Sequence, residues 1–223
     1  MAKGLSDIYV GVNKSDPNRR DNDFYPTPPI ATYVLHKYFD LPKNIMEPCA
    51  GRGNISVELE RCGYNVTSFD LHKYDNLLTK VSDGQDFMSL SRQPEIEAVV
   101  TNPPYHKDLP RKMAEKSVSE YPVTAMFLRL TFLEGKKRKK LFTNSKPSDI
   151  IILSDRVKFE KNIIEPIEKK DQIGGMISYA WFIWDKRRDN INTRLQWVTL
   201  ENEYDEWNNH FLAYKQQYLN NLL

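Results

Sequence analysis

Short apolar runs, each stopped by a proline, glycine or acidic residue, alternate along this chain with segments whose apolar positions recur every three or four residues. "KNIMEP" (43–48), "YNVTSFD" (64–70), "IEAVVTN" (96–102) and "VTAMFLRL" (123–130) have the length and branching of buried strands. "PPIATYVLHKYF" (28–39), "ISVELERCG" (55–63) and "LPRKMAEKSVSEY" (109–121) have helical spacing, the first with prolines at its start and the second closed by Gly63. This alternation predicts an α/β fold, a doubly wound and mainly parallel sheet. "SDIIILS" (148–154) and "SYAWFIWD" (178–185) have no obvious helix between them and are expected to pair as an antiparallel hairpin across a long loop, 156–175. The expected layout is a flexible arm over 1–22, a core domain over 23–186 and a helical extension over 187–223. Trp207, Phe211, Tyr214, Tyr218 and Leu222 share one face of that extension, which is expected to dock on the core. Trp181 and Trp184 read as core residues, with one of them a candidate stacking platform.

Composition narrows the class. With 223 residues, 40% hydrophobic and 28% charged, the chain fits one soluble globular domain. No stretch approaches the ~20 apolar residues of a membrane span, and the N-terminus lacks a signal peptide's apolar block. A cytoplasmic location, in a prokaryotic or phage-infected cell, is therefore expected, with no membrane partner. Cys49 and Cys62 are expected to remain thiols. His36, His72, His106 and His210 are scattered, and no metal site is expected; His106 adjoins the "NPPY" motif and could line a pocket. A net charge of +2 neither demands nor excludes nucleic acid, but Lys136, Lys137, Arg138, Lys139 and Lys140 form one dense basic run. That run is either a solvated segment or a phosphate contact. Arg129 and Arg156 stand near strand tips, where either could face a substrate strand.

The candidate chemistry begins at "MEPCAGRGN" (46–54), a glycine loop between a strand and a helix. Gly51 and Gly53 let a ligand approach the backbone there. Glu47, at the strand's end, would repel a diphosphate and suits a ligand carrying positive charge. S-adenosylmethionine has an ammonium, a sulfonium and no phosphate. Asp70 ends the next strand, where a carboxylate can accept hydrogen bonds from ribose hydroxyls. Asp86 and Phe87 could hydrogen-bond and flank an adenine ring.

"EPCAGRGN" followed by "NPPY" (102–105) resembles the S-adenosylmethionine-dependent amino-methyltransferases, above all the DNA adenine-N6 type. "DFYPTPPIA" (23–31) looks like that family's additional cofactor motif, "VTAMFLRLTFLEGKKRK" (123–139) is also similar to small phage-encoded members, and the likeness covers roughly residues 23–186. The resemblance implies a methyltransferase catalytic domain with Tyr25, Pro26, Thr27, Glu47, Cys49, Ala50, Gly51, Gly53, Asn54, Asp70, Leu71, Asp86, Phe87 and Asn102 around the cofactor. It implies a nucleic-acid partner, DNA first among them. Sequence-specific members usually carry a large recognition domain after the core, and here only a short tail follows, so weak base-sequence selectivity is expected.

The catalytic motif has its own physical logic. Residues before prolines are pushed to extended conformations, and prolines cannot donate ladder hydrogen bonds, so the strand stops at Asn102, Pro103 and Pro104. The Asn102 side-chain oxygen and the Pro103 carbonyl are then two acceptors for the two hydrogens of an exocyclic amino group. Tyr105 is expected to stack on the base. The same motif would serve an RNA or protein-glutamine methyltransferase, because an amide nitrogen has the same delocalised lone pair. A non-catalytic binding module that retains the fold is the reading from another class.

Overall fold

Pro28 holds an extended backbone (φ −58°, ψ 133°) and Pro29 takes the first helical position of α1, Pro29–Tyr38, where an amide hydrogen has no intrahelical partner to lose. The computed structural model describes residues 25–157, 159, 175–189 and 192–220, without the side chains of 218 and 219. The expected arm over 1–22, most of the 156–175 loop and the last two stripe side chains, Tyr218 and Leu222, lie outside the described residues. From α1 the chain runs through β1 (Asn44–Glu47), α2 (Asn54–Arg61), β2 (Asn65–Ser68), β3 (Ala98–Thr101), α3 (Leu109–Glu120) and β4 (Val123–Arg129). A 3₁₀ turn (Leu130–Leu133), α4 (Lys136–Asn144), β5 (Asp149–Leu153), β6 (Tyr179–Asp185), β7 (Arg194–Val198) and α5 (Leu200–Asn220) complete it.

The seven strands form one sheet in the order β2-β1-β3-β4-β6-β5-β7. Every neighbouring pair is parallel except those of β6, which runs antiparallel to β4 and to β5. The expected α/β class and the antiparallel pairing of the two late apolar runs are both present. Side chains alternate across the sheet, so each strand feeds two cores. Ile45, Ala98, Val100, Phe127, Trp181 and Ile183 pack with Val34 of α1, Leu59 of α2 and Trp207 of α5. Met46, Val99, Met126, Leu128, Phe182 and Trp184 pack with Met113 of α3 and Leu141 of α4. Helices thus cover both faces, as a doubly wound sheet requires.

Trp181 and Trp184 are three positions apart, which places them on opposite faces and not on one strand period. Both are buried. Their indole N–H groups donate to Ala31 O at 2.7 Å and Ser145 O at 2.9 Å. Neither is free to act as a stacking platform. The described part of the C-terminal stripe docks as expected. Trp207 and Phe211 are buried, and α5 is tied to α1 by Lys37 with Glu203 and Glu206, by Tyr33 with Glu206 and by Tyr38 with Glu203. The region after 186 is not wholly helical, because β7 first adds a parallel strand beside β5. The basic run is the first turn and a half of α4, held on the core by Leu141 and by Phe142, whose ring meets Phe132 edge-on at 5.8 Å. The histidines are less scattered than the sequence suggests: His36 and His210 come within 6.3 Å, ring to ring, beneath α5. Among the described residues no helix is long and apolar enough to cross a membrane.

Candidate active site

Strands β1, β2 and β3 are parallel neighbours, so their carboxyl ends open on one edge of the sheet, with β1 at the point where the strand order reverses. A cleft of about 460 Å³ lies there. Tyr25, Pro26, Thr27, Glu47, Cys49, Ala50, Gly51, Asn54, Asp70, Leu71, Asp86, Phe87, Asn102 and Pro104 all line it. Nearly every residue assigned to the site from the sequence is thereby brought to one cavity. Gly53, Pro103 and Tyr105 are not among the lining residues.

The glycine loop is shaped by its two carboxylates. Gly51 and Gly53 have left-handed φ of 56° and 87°. A Cβ on Gly53 would lie 2.7 Å from Thr79 Cγ2, so only glycine fits without displacement. Asp70 Oδ2 accepts from Gly51 N at 2.8 Å, and its Oδ1 accepts from His72 N at 2.9 Å. Glu47 Oε2 accepts from Ser56 N at 2.7 Å and also from the Ser56 hydroxyl. Ser56 is the third residue of α2, so Glu47 satisfies one of the helix's unpaired N-terminal amides from a neighbouring strand. Burial pushes the pKa of Glu47 well up, against the opposing pull of the two Ser56 hydrogen bonds. Burial likewise raises Asp70, against the His72 and Gly51 amides. Two buried carboxyls facing one cavity suit a cation that restores their charge. Cys49 is a free thiol raised well above its ordinary pKa by burial, an inert wall residue.

Asn102 is held in one orientation. Its Nδ2 donates to Tyr25 O at 3.1 Å and to Thr27 Oγ1 at 3.0 Å. The Tyr25 carbonyl can only accept, so the nitrogen must be on that side and Oδ1 on the other. Asn102 Oδ1 is buried and has no hydrogen-bond partner among the described residues, and the same is true of Asn54 Oδ1. Both asparagines line the cleft, so each carries an acceptor with spare capacity next to it. The link from the 25–27 segment to the catalytic motif was not visible in the sequence.

Three of the expected site residues have partners within the chain that the sequence did not reveal. The Tyr105 hydroxyl donates to Phe127 O at 3.1 Å, its ring meets Tyr179 edge-on at 6.3 Å, and the Arg129 guanidinium lies 4.7 Å over its ring. A base stacking on Tyr105 would have to share the ring with Arg129. Asp86 accepts from Met88 N at 2.9 Å and Ser89 Oγ at 3.1 Å, capping its own turn beside the cleft. Phe87 is buried, with Lys116 Nζ 5.6 Å over its ring. Sequence reasoning missed Ile55, His72, Tyr74, Gln85, Met88, Leu109 and Met113, which also line the cavity; His106 does so as considered. Tyr74 carries a hydroxyl whose pKa burial raises, and like Gln85 it belongs to the long connection between β2 and β3, where no periodicity marks it.

No family model matches the chain. A stretch of 133 residues is 29% identical to the Type II methyltransferase M.VspI of Vibrio sp. (strain 343), covering 49% of this chain and 32% of that protein. The chain thus spans about a third of the length of the curated relative it matches. A Listeria monocytogenes crystal structure, described as a class I S-adenosylmethionine-dependent methyltransferase, superposes with a TM-score of 0.54 over 86% of this chain and 73% of the other, at 15% identity. The fold is that of the class I methyltransferases.

Proposed function

We propose that this chain is an S-adenosylmethionine-dependent methyltransferase acting on the exocyclic N6 amino group of adenine in DNA. The observation that carries the reading is the Asn102 side chain, whose Nδ2 is tethered twice while Oδ1 is left buried, unpartnered and in the wall of the cleft. The fold and the partial likeness to a Type II methyltransferase support it.

The residues present fit the cofactor. Gly51 leaves room for close approach in the cleft wall, Glu47 and Asp70 offer charge to a cation, and Asn54 Oδ1 offers a free acceptor. Ile55, Leu71, Phe87 and Met88 supply apolar wall for a nucleoside. When bound, S-adenosylmethionine supplies an electrophilic methyl group. The chain's own work is on the nucleophile. Adenine N6 has its lone pair delocalised into the ring. Asn102 Oδ1 accepts one of its hydrogens, and the carbonyl of the neighbouring Pro103, which borders the cleft without lining it, is the proposed acceptor of the other; together they favour a pyramidal nitrogen and stabilise the positive charge it acquires. Preorganised acceptors of this kind act without reorganising during the reaction. The nitrogen becomes acidic as it is methylated and then releases a proton to water, so no strong base is required.

The test is calorimetry with S-adenosylmethionine and S-adenosylhomocysteine, followed by transfer of labelled methyl to DNA, RNA and mixed protein in parallel. Heat with both ligands and label in DNA support the proposal. Absence of binding ends it, and label confined to RNA or protein moves the substrate. Asp70→Ala weakens cofactor binding by about 1.5–3 kcal/mol, the scale of a charge-assisted hydrogen bond. Affinity for S-adenosylmethionine also falls as the pH drops through the raised pKa range of Glu47 and Asp70, because protonation removes the charge that attracts the cation. Folding alone has the opposite sign. A carboxyl with a raised folded pKa contributes stability below its unfolded pKa, and that contribution is lost as the pH rises through the folded value.

Thr27 has a positioning role. It is buried, and its Oγ1 takes one of the two Asn102 N–H bonds. Thr27→Val keeps the shape and removes the acceptor. Turnover then drops by about 3–10-fold at unchanged cofactor affinity, the scale of one neutral hydrogen bond, roughly 0.5–1.5 kcal/mol. Thr27→Ser restores it. Equal loss in both variants would assign Thr27 to packing alone.

A further inference from the structure

Beside the candidate active site lies a second, open groove of about 900 Å³. It runs between the segment that follows the catalytic motif, with Lys107 and Lys112, and the start of α4, with Lys136 and Lys137. We propose that this groove holds the phosphodiester backbone of the nucleic-acid strand whose base enters the Asn102 cleft. The inference rests on the methyltransferase reading above and adds to it the path of the strand.

Continuity is the first argument. His106 and Leu109 line both cavities, so the groove opens directly onto the candidate site. Charge is the second. Lys107, Lys112, Lys136 and Lys137 are exposed, and among the described residues none of them pairs with a carboxylate. The groove's own carboxylate, Asp108, is already held by Arg111, with Nε at 2.9 Å and Nη2 at 2.6 Å. The Asp108 carboxyl is held below the usual carboxylate range chiefly by its Arg111 hydrogen bonds, with smaller contributions from Lys137 and Lys112. Four ammonium groups with one neutralised carboxylate favour a polyanion.

Backbone shape is the third. Lys107 has a left-handed φ of 50°, uncommon for a residue other than glycine, and it sits two residues after Tyr105. The basic run divides accordingly. Arg138 is committed to structure: its guanidinium donates to Glu134 O at 2.6 Å and Thr131 O at 3.0 Å and lies 5.0 Å over the Phe132 ring. Lys139 and Lys140 are exposed but do not line the groove. Of the run, Lys136, Lys137 and Arg138 line the groove; Arg138 is already bonded to the chain, so Lys136 and Lys137 are the ammonium groups placed to meet phosphate, together with two lysines outside the run that the sequence did not single out.

The test compares two charge-matched double variants of the full chain, Lys112→Gln/Lys137→Gln and Lys139→Gln/Lys140→Gln. Affinity for a short single- or double-stranded oligodeoxynucleotide is measured across salt concentrations, with an oligoribonucleotide of the same sequence in a parallel arm. Cofactor binding and melting temperature confirm folding. The groove pair flattens the log-affinity against log-salt slope by about two units, near 0.9 for each lost duplex phosphate contact, and the other pair by less than half of that. Equal effects from the two pairs, or none from the groove pair, overturn the groove while leaving methyl transfer by the parent intact. A parent that neither binds nucleic acid nor methylates it overturns the underlying reading instead. Loss in the ribonucleotide arm alone would assign the groove to RNA and overturn it as the path of a DNA strand.

Discussion

Asn102→Ala transfers methyl groups at least ~100-fold more slowly than the parent while binding S-adenosylmethionine nearly as well. The magnitude is that of losing one preorganised acceptor aimed at charge that develops in the transition state. Cofactor affinity is spared because Glu47, Gly51, Asn54 and Asp70, on other elements, stay in place. The effect must appear in turnover more than in substrate affinity, since the hydrogen bonds to N6 strengthen only as the nitrogen becomes cationic. Asn102→Asp sharpens the test. It keeps an acceptor but loses the donor to Tyr25 O, and Thr27 Oγ1 can hold it only by donating in turn, so the side chain is no longer oriented by two N–H bonds. An Asn102→Ala enzyme as fast as the parent would remove the two-acceptor mechanism whatever the fold.

The second large effect concerns stability and not chemistry. Trp207 is fully buried, and its indole N–H donates at 2.9 Å to Glu58 Oε1, a carboxylate itself buried beneath α5. Burial raises the Glu58 pKa, against the lowering influence of Arg61 and of the Trp207 bond. Trp207→Ala opens a large cavity and strips Glu58 of a donor, leaving it only the Arg61 guanidinium at 3.1 Å. The expected cost is about 3–5 kcal/mol, the range for large aromatic truncations. At this chain length that corresponds to a melting-temperature drop on the order of 10 °C. Trp207→Phe keeps most of the volume and falls by less than half as much. A Trp207→Ala protein that melts within about 1 °C of the parent would mean that α5 is not part of the cooperative unit.

The parts of this molecule legible in the sequence are those whose cause is local. The apolar run "IEAVV", short and rich in branched residues, reads as a buried strand, and Pro103 and Pro104 end it, so the position of Asn102 at a strand tip followed directly. Gly51 and Gly53 between a strand and a helix signalled close approach to the backbone; both are left-handed, Gly51 in the wall of the cleft and Gly53 against Thr79 of the chain itself. What escaped detection depends on partners distant in the chain. β7 has the burial pattern of an exposed edge, with Trp197 64% accessible, and it is a strand because β5 offers it an open ladder. The basic run gives no periodicity of its own; it is helical because Leu141 and Phe142, just beyond it, anchor it on the core. Tyr105 looked like a stacking surface because aromatic residues beside such motifs invite that role, yet Arg129, from the end of β4, lies over its ring. The tether from Thr27 to Asn102 spans 75 positions, a separation over which a single sequence carries no pairing information.

The central claim is that the Asn102 acceptor serves an adenine amino group. It is tested most directly by incubating the protein with methyl-labelled S-adenosylmethionine and DNA, digesting the DNA to nucleosides and identifying the labelled one by mass spectrometry. The account predicts label in N6-methyl-2′-deoxyadenosine, lost in the Asn102→Ala protein. Label on cytosine C5, a carbon with no amino hydrogens for Asn102 to accept, or label that persists undiminished in Asn102→Ala, would contradict it.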